Sequence, residues 1–196
     1  YSRRMGQDKA SITLGSLRLI DHVINAISPL VSRLRIIGSP KTSKQFRPPL
    51  PYQIQDDLLP GKGPLAGIHT ALATAKHPYV FVIACDLPFL TTRFLSGMCS
   101  QFERGYDAVA PLQNNLPVPV CAIYNRSCLS TVEEHIGTNR LMAQDLLQSI
   151  RTQYIGDPIL QRLDPTGNCL LNINTKKDYK RAHQIINSLV EPQPDP

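Results

Sequence analysis

The apolar positions near the start of the chain follow the spacing of an amphipathic helix. They recur at intervals of three, four and seven residues, at Leu17, Ile20, Val23, Ile24, Ile27, Leu30 and Val31. This spacing places the side chains on one face of a helix. Residues 35–38, RIIG, then predict a short strand that ends in a turn.

The longest apolar run, residues 79–85, reads YVFVIAC. It is rich in β-branched and aromatic side chains and predicts a central strand that is covered on both faces. Before it, the proline-containing stretch 41–51 predicts a surface loop, and residues 52–55 predict a short strand. A helix is predicted to begin near Pro64, because proline suits the first helical position.

The rest of the chain continues this alternation of elements. It predicts helices over residues 92–102, 129–135, 141–149 and 176–189, and strands over residues 107–110, 120–124 and 151–155. Such alternation is typical of the α/β class, with helices on both faces of a mostly parallel central sheet. We expect a single domain over residues 1–190 and a disordered, proline-rich tail over residues 191–196.

Composition agrees with one globular domain. The chain has 196 residues, of which 42% are hydrophobic, enough for a full-sized core. Its longest apolar run is far shorter than the roughly 20 residues that a transmembrane helix needs. The five cysteines are scattered, without a Cys-x-x-Cys pair, and predict reduced thiols in a cytoplasmic protein.

The charge balance indicates an anionic partner. The formal net charge is +6, aromatic residues make up 6% of the chain, and tryptophan is absent. No basic stretch is interleaved with aromatic residues, as a base-stacking surface requires. The composition therefore favours a small polyphosphate over nucleic acid or membrane, and charge that only maintains solubility stays an alternative.

The first nine residues, YSRRMGQDK, combine basic side chains with a glycine. Arg3, Arg4 and Lys9 can neutralise a triphosphate with a charge of about −4. Gly6 lets the backbone N–H groups approach phosphate oxygens closely. The stretch predicts a triphosphate-binding segment, and a solvated basic terminus is the alternative.

Asp86 directly follows the predicted central strand. Ligands of open α/β sheets gather outside the carboxyl ends of the strands. We therefore predict that Asp86 contacts a metal or substrate. The alternative is that Asp86 caps the next helix, although Thr91 or Thr92 can take that role instead.

Four blocks of sequence resemble the molybdenum cofactor guanylyltransferases of the MobA type. The blocks are SRRMGQDKA, DDLLPGKGPLAGI, ACDLPFL and NINTKKD. They occur in the order and spacing of that family and extend over nearly the whole chain. The GPLAG segment favours the guanylyl branch over the related molybdopterin cytidylyltransferases. The resemblance implies a Rossmann-like, three-layer α/β/α fold of the nucleotide-diphospho-sugar transferase type.

The resemblance also implies a reaction. GMP would pass from GTP to the terminal phosphate of molybdopterin, giving molybdopterin guanine dinucleotide and pyrophosphate. Because the pterin phosphate is itself the nucleophile, no serine, cysteine or histidine needs activation. The implied cofactor is Mg²⁺, and the implied partners are small-molecule substrates, with transient contact to molybdoenzymes or cofactor chaperones.

The family's functional positions map onto this sequence one by one. Those with catalytic roles are Lys9, Arg4 and Asp86, and Asp86 would also hold Mg²⁺. Those on the GTP side are Arg3, Gly6, Lys9, Asp56, Gly63, Pro64 and Leu65. Those on the side of the pterin and its phosphate are Asn172, Asn174 and Arg140.

Several of these assignments have alternatives. The carboxylate of Asp56 could accept hydrogen bonds from guanine N1–H and N2–H₂, and Asp57 is the adjacent alternative. Arg140 is otherwise an exposed arginine at a helix start. Asp178 is predicted to be an early-helix carboxylate that the helix dipole favours.

The sequence departs from the family pattern at two places. In relatives a hydrophobic strand and the sequence LAGG precede the position of Tyr1, and neither occurs in this sequence. Val118 stands where relatives often have a polar residue.

Three other functions stay open. The first is a nucleotidyltransferase that uses another base or acceptor, such as cytidylyl or sugar-phosphate types. The others are a non-catalytic adaptor that binds GTP or cofactor, and a basic nucleic-acid binder.

Overall fold

The structure, a computed structural model, describes residues 12–38 and 52–190. Three predicted features lie wholly or mostly outside the described residues: the phosphate segment with Arg3, Arg4, Gly6 and Lys9, the loop 41–51, and the tail 191–196.

Strands and helices alternate along the described chain. The strands are β1 (Thr13–Leu14), β2 (Leu17–Arg18), β3 (Arg35–Gly38), β4 (Gln53–Asp56), β5 (Tyr79–Ile83), β6 (Ala108–Gln113), β7 (Leu116–Pro117), β8 (Cys121–Asn125) and β9 (Thr152–Ile155). The α-helices are α1 (Leu19–Ile27), α2 (Pro64–Thr74), α3 (Thr92–Ser100), α4 (Leu129–Gly137), α5 (Ala143–Ser149), α6 (Ile159–Leu163) and α7 (Lys176–Val190). Short 3₁₀ turns cover Ser28–Leu30 and Arg126–Cys128.

The strands form two sheets and one small hairpin. β3 and β4 pair in parallel. In the larger sheet β5, β6 and β9 share one direction, because β9 pairs with β6 in parallel and β8 runs antiparallel to both β5 and β6. The carboxyl ends of β5, β6 and β9 therefore meet at one edge. The predicted α/β class is confirmed.

A tight turn explains why β8 is reversed. Asn114 and Asn115 have φ values of 51° and 61° and form the two-residue connection between β6 and β7, where Gln113 lies opposite Leu116. Asparagine tolerates this left-handed conformation, which suits a hairpin turn. The chain therefore doubles back into β8.

The sheet separates two hydrophobic clusters. Val109 of β6 packs on one side with residues of α1 and α3, including Phe94. Its neighbours Ala108 and Ala110 pack on the other side with α2, α4 and α5, including Leu65. Side chains alternate between the faces of a strand, so this arrangement gives the three layers that the sequence predicts.

The helix predicted around residues 17–31 is shorter in the structure. Leu17 belongs to a β-hairpin with Leu14, which turns at Gly15 with a φ of 63°. α1 ends at Ile27, and a 3₁₀ turn that contains Pro29 follows, because proline has no N–H to continue the helix. The prediction was wrong at both ends and correct for the buried face between them.

Candidate functional site

Asp86 lies just beyond the carboxyl end of β5. The residue is only 9% exposed, and its backbone oxygen accepts a hydrogen bond from Ile173 N at 3.0 Å. The following helix, α3, is capped by Thr91, whose Oγ1 accepts from Phe94 N at 3.1 Å. The prediction that Thr91 or Thr92 takes this role is confirmed, and the capping alternative for Asp86 is excluded.

The hydrogen bond to Ile173 also brings Asn172 to this edge of the sheet. Its Oδ1 is buried and, among the described residues, has no hydrogen-bond partner. A buried acceptor in this state costs about 1–3 kcal/mol. Carboxylate and amide oxygens are the ligand types that Mg²⁺ prefers, so Asp86 and Asn172 carry side-chain oxygens of a kind that suits this ion.

The segment that carries Asn172 is fixed on both sides. Gln113 Nε2, at the end of β6, donates to Leu170 O at 2.9 Å. After the segment, Asp178 Oδ2 accepts from Asn174 N at 3.0 Å and from Thr175 N at 2.8 Å. The loop is therefore held against the carboxyl edge between β6 and α7.

Asp178 caps the start of α7. Thr175 Oγ1 accepts from Asp178 N at 3.2 Å, which completes a reciprocal capping box. Burial opposes ionisation, but the hydrogen bonds from Thr175 and from the N–H of Asn174 outweigh it and lower the pKa of Asp178. The prediction that Asp178 is an early-helix carboxylate is confirmed.

The structure distinguishes Asp56 from its neighbour Asp57. Asp56 is exposed at the end of β4, opposite Gly38 of β3. Asp57 is half-buried, and its Oδ1 accepts from Leu59 N at 3.1 Å and from Thr70 Oγ1 at 3.1 Å. Asp57 therefore has a structural role in the loop, and Asp56 faces outward.

The loop after Asp57 leads into α2 through Gly63. Gly63 has a φ of 64°, and an added Cβ would meet no atom within 4 Å, so the space beside it is open. Pro64 occupies the start of the helix, as predicted. Leu65 is 0% exposed and packs in the hydrophobic cluster with Ala108 and Ala110, so its role toward GTP stays a prediction.

The described contacts of Arg140 are local. Its Nη2 lies 2.7 Å from Glu134 Oε1, and its Nε donates to Thr138 Oγ1 at 3.1 Å. Its backbone N–H donates to His135 O at 2.8 Å. The preceding residue, Asn139, lies just after α4 and has a φ of 57°. This is the Schellman pattern of a helix C-terminus, and the role of Arg140 toward the pterin stays a prediction.

The buried thiols of Cys128 and Cys169 are unsuited to act as nucleophiles. Cys99, Cys121, Cys128 and Cys169 are free, and burial raises the pKa of Cys128 to about 11 and that of Cys169 to about 12. Such groups stay protonated at neutral pH, whereas the thiolate is the reactive form. Within residues 12–38 and 52–190, no cluster of three or more His, Cys, Asp or Glu side chains could hold a metal.

Two cavities lie apart from the predicted site residues. An open depression of about 530 Å³ is lined partly by Lys76, His77 and Arg126. An apolar cavity of about 250 Å³ is lined partly by Phe89 and Leu163. Of the predicted site residues that the structure describes, none lines either cavity. Over the part of the chain that the structure describes, no helix has the length and apolar character to cross a membrane.

The fold and the site define a nucleotide-binding protein of the α/β transferase class. It has a buried carboxylate at the carboxyl edge of a sheet and an open glycine turn at the start of a helix. The sequence profile of the MobA-like NTP transferase domain matches residues 1–155. The chain belongs to this family, and the predicted family is confirmed.

Relatives with assigned names agree with this placement. A molybdenum cofactor guanylyltransferase from Desulfosudis oleivorans is 30% identical, over 94% of this chain and 91% of the relative. A protein from Carboxydothermus hydrogenoformans, named probable molybdenum cofactor guanylyltransferase, is 32% identical over 94% of this chain and 91% of its own length.

Solved structures confirm the Rossmann-like fold. Molybdopterin-guanine dinucleotide biosynthesis protein A from Archaeoglobus fulgidus superposes with a TM-score of 0.83 at 27% identity, over 95% of this chain and 94% of that protein. The 2-C-methyl-D-erythritol 4-phosphate cytidylyltransferase from Thermus thermophilus has a TM-score of 0.66 at 14% identity, over 94% of this chain and 95% of its own. The second likeness concerns the fold alone.

Proposed function

We propose that this chain transfers GMP from GTP to the terminal phosphate of molybdopterin in the molybdenum cofactor. The products would be molybdopterin guanine dinucleotide and pyrophosphate. The observation that carries the proposal is the 3.0 Å hydrogen bond from Ile173 N to Asp86 O, which holds the main chain next to Asn172 against that of Asp86. The names of relatives that match 94% of this chain support the choice of substrates.

The reaction needs no side-chain nucleophile. An oxygen of the pterin phosphate attacks the α-phosphorus of GTP and forms a new P–O bond. The bond from the α-phosphorus to the bridging oxygen of the β-phosphate breaks, and pyrophosphate leaves with that electron pair. The protein has to align two anions and neutralise their charge.

Asp86 and Asn172 would hold Mg²⁺ through their oxygen atoms, together with oxygens of the substrate phosphates. When bound there, the ion would neutralise phosphate charge. Asp86 is only 9% exposed, and the attraction between its carboxylate and a cation is stronger in such a poorly solvated place than in water.

The remaining roles follow from the sequence. Lys9 and Arg4 would act on the GTP phosphates, and Arg3 and Gly6 would complete that phosphate segment. Asp56 would accept hydrogen bonds from the guanine edge.

The other end of the reaction involves the pterin. Asn174 and Arg140 would contact the pterin or its phosphate, and Gly63 would leave room for the nucleotide.

We place the reaction in the cytoplasm, with transient contact to molybdoenzymes or cofactor chaperones. The free thiols of Cys99, Cys121, Cys128 and Cys169 support a reducing compartment.

The test is pyrophosphate release by the purified full-length protein. It should require GTP, Mg²⁺ and molybdenum cofactor together, and one dinucleotide should form for each pyrophosphate. Omission of each component in turn provides the controls. GTP binding without pyrophosphate release would favour the adaptor, and release with a sugar phosphate in place of the cofactor would favour another nucleotidyltransferase.

A further inference from the structure

Thr70 joins helix α2 to the loop that follows β4. Its Oγ1 accepts a hydrogen bond from Leu58 N at 3.0 Å and donates one to Asp57 Oδ1 at 3.1 Å. Asp57 Oδ1 also accepts from Leu59 N at 3.1 Å. Thr70 is 0% exposed. One buried hydroxyl therefore fixes the first residues of the loop that Asp56 precedes.

This hydroxyl does not serve its own helix. A helical threonine commonly donates to the carbonyl oxygen four residues earlier. Thr74 does so, with its Oγ1 2.7 Å from Thr70 O. Thr70 instead bonds to residues 12 and 13 positions away. Its contacts therefore position the loop and add nothing to the helix ladder.

The contacts of Thr70 also affect Asp56, because the chain at Asp56 is extended. Successive side chains point to opposite sides. Asp57 is half-buried and turned to Thr70, whereas Asp56 is exposed and Leu58 is 47% exposed. Asp57 N also donates to Gly38 O at 2.8 Å. The main chain next to Asp56 is therefore anchored, which fixes the side of the chain from which the Asp56 side chain projects.

We propose that Thr70 is a positioning residue for selection of the nucleobase. It holds Asp57 and Leu58 so that the Asp56 carboxylate meets the N1–H and N2–H₂ groups of guanine. This inference rests on the proposed function. Loss of the Thr70 hydroxyl would change base affinity and selectivity and leave the phosphate chemistry at Asp86 intact.

The test compares Thr70→Val, which keeps the side-chain shape, with Thr70→Ser, which keeps the hydroxyl. The substrates are GTP and inosine triphosphate, which lacks the N2 amino group. Thr70→Val should raise the KM for GTP about tenfold, as expected for loss of a hydrogen bond to a charged group. The KM for inosine triphosphate should rise less, kcat should change by less than about twofold, and Thr70→Ser should behave like the wild type.

A matched control is Thr152→Val. Thr152 is half-buried, and its Oγ1 donates to Leu147 O at 2.6 Å, at the beginning of β9. This control should lower Tm without moving the ratio of KM values. If Thr70→Val does not purify, Thr70→Cys, with its weak S–H donor, should give an intermediate ratio.

Each outcome decides the proposal. A Thr70→Val variant that loses Tm as the control does but keeps the GTP to inosine triphosphate ratio would overturn it. If the wild type transfers no GMP, the proposed function fails, and calorimetric binding of GTP, inosine triphosphate and ATP tests Thr70 separately. Selectivity that is present in the wild type and lost in Thr70→Val would then support the inference, and no selectivity in the wild type would overturn it.

Discussion

Two aspartates at the carboxyl ends of β4 and β5, Asp56 and Asp86, are held in opposite ways. Asp86 is 9% exposed and is tied to Ile173, which lies far along the chain. Asp56 is exposed, and Thr70 holds its neighbour Asp57 through a hydrogen bond. One carboxylate is mostly buried in the fold, and the other is exposed at the end of a strand.

This difference matches what each site needs. A group that attracts a cation gains from a poorly solvated position, where charge interactions are stronger. A group that reads the edge of a base must stay accessible, and its precision comes from the residues that support it. We therefore expect substitutions at Asp86 to affect catalysis and substitutions around Asp56 to affect the choice of nucleotide.

Asp86→Asn should have the largest effect. We expect GMP transfer to fall about a hundredfold or more, as when a preorganised charge-stabilising group is removed. The Mg²⁺ requirement should rise, because the amide carries no charge with which to attract the ion. A magnesium titration identical to that of the wild type would mean that Asp86 is structural.

Asn172→Ala should weaken the response to Mg²⁺ while leaving the stability of the protein almost unchanged. Asn172 Oδ1 has no hydrogen-bond partner among the described residues, so its removal should cost little stability. We expect the apparent affinity for Mg²⁺ to fall about tenfold or more, as for other groups around a metal site. The measurement is turnover against Mg²⁺ concentration, with a melting curve of each protein. A large drop in Tm with an unchanged magnesium response would contradict the assignment.

Asp56→Ala should act on selectivity at the loop. The preference for GTP over ATP should fall by about tenfold or more, because a site that pairs with polar groups of a base discriminates strongly. kcat with GTP at saturation should change much less. The check is kcat/KM for both nucleotides, and retained selectivity would transfer the role to backbone groups.

Arg140→Ala should have a smaller effect. If Arg140 faces the pterin, the KM for the cofactor should rise about threefold or more while the KM for GTP stays constant. Glu134→Gln is the matched control, since it removes the 2.7 Å ion pair and keeps the arginine. Equal behaviour of the two variants would show that Arg140 acts only through its local contacts.

Acidification should destabilise the start of α7, and we expect this to be the smallest of the effects. Hydrogen bonds lower the pKa of Asp178 in spite of its partial burial, so its contribution is complete above the pKa of an unfolded aspartate, about 3.9. The contribution is lost as the pH falls below that value through the lower folded pKa. Melting curves from pH 7 to pH 3 should show that Asp178→Asn loses less Tm on acidification than the wild type. Parallel pH profiles would contradict this.

Much of the fold could be predicted, because its strands and helices carry strong local patterns. The run around Phe81 and the proline at the start of α2 located β5 and that helix correctly. The hairpin at Gly15 and the reversed β8 were missed. Both depend on short turns with left-handed residues, and apolar periodicity does not contain this information.

The site was only partly predictable for a similar reason. Asp86 could be assigned because it follows a strong strand signal. Thr70 was missed, because nothing in a helical pattern marks a threonine whose hydroxyl bonds to a loop 12 residues away. The local cap around Arg140 was missed as well, although Asn139 is a residue type that favours the left-handed helix end.

The most direct test of the account is a competition reaction. The purified protein receives molybdenum cofactor, Mg²⁺ and equal concentrations of GTP and CTP, and the dinucleotides are separated and identified by mass spectrometry. We predict guanine dinucleotide in large excess, formed in proportion to pyrophosphate. Cytosine dinucleotide as the main product, or no dinucleotide despite bound GTP, would contradict the proposed function.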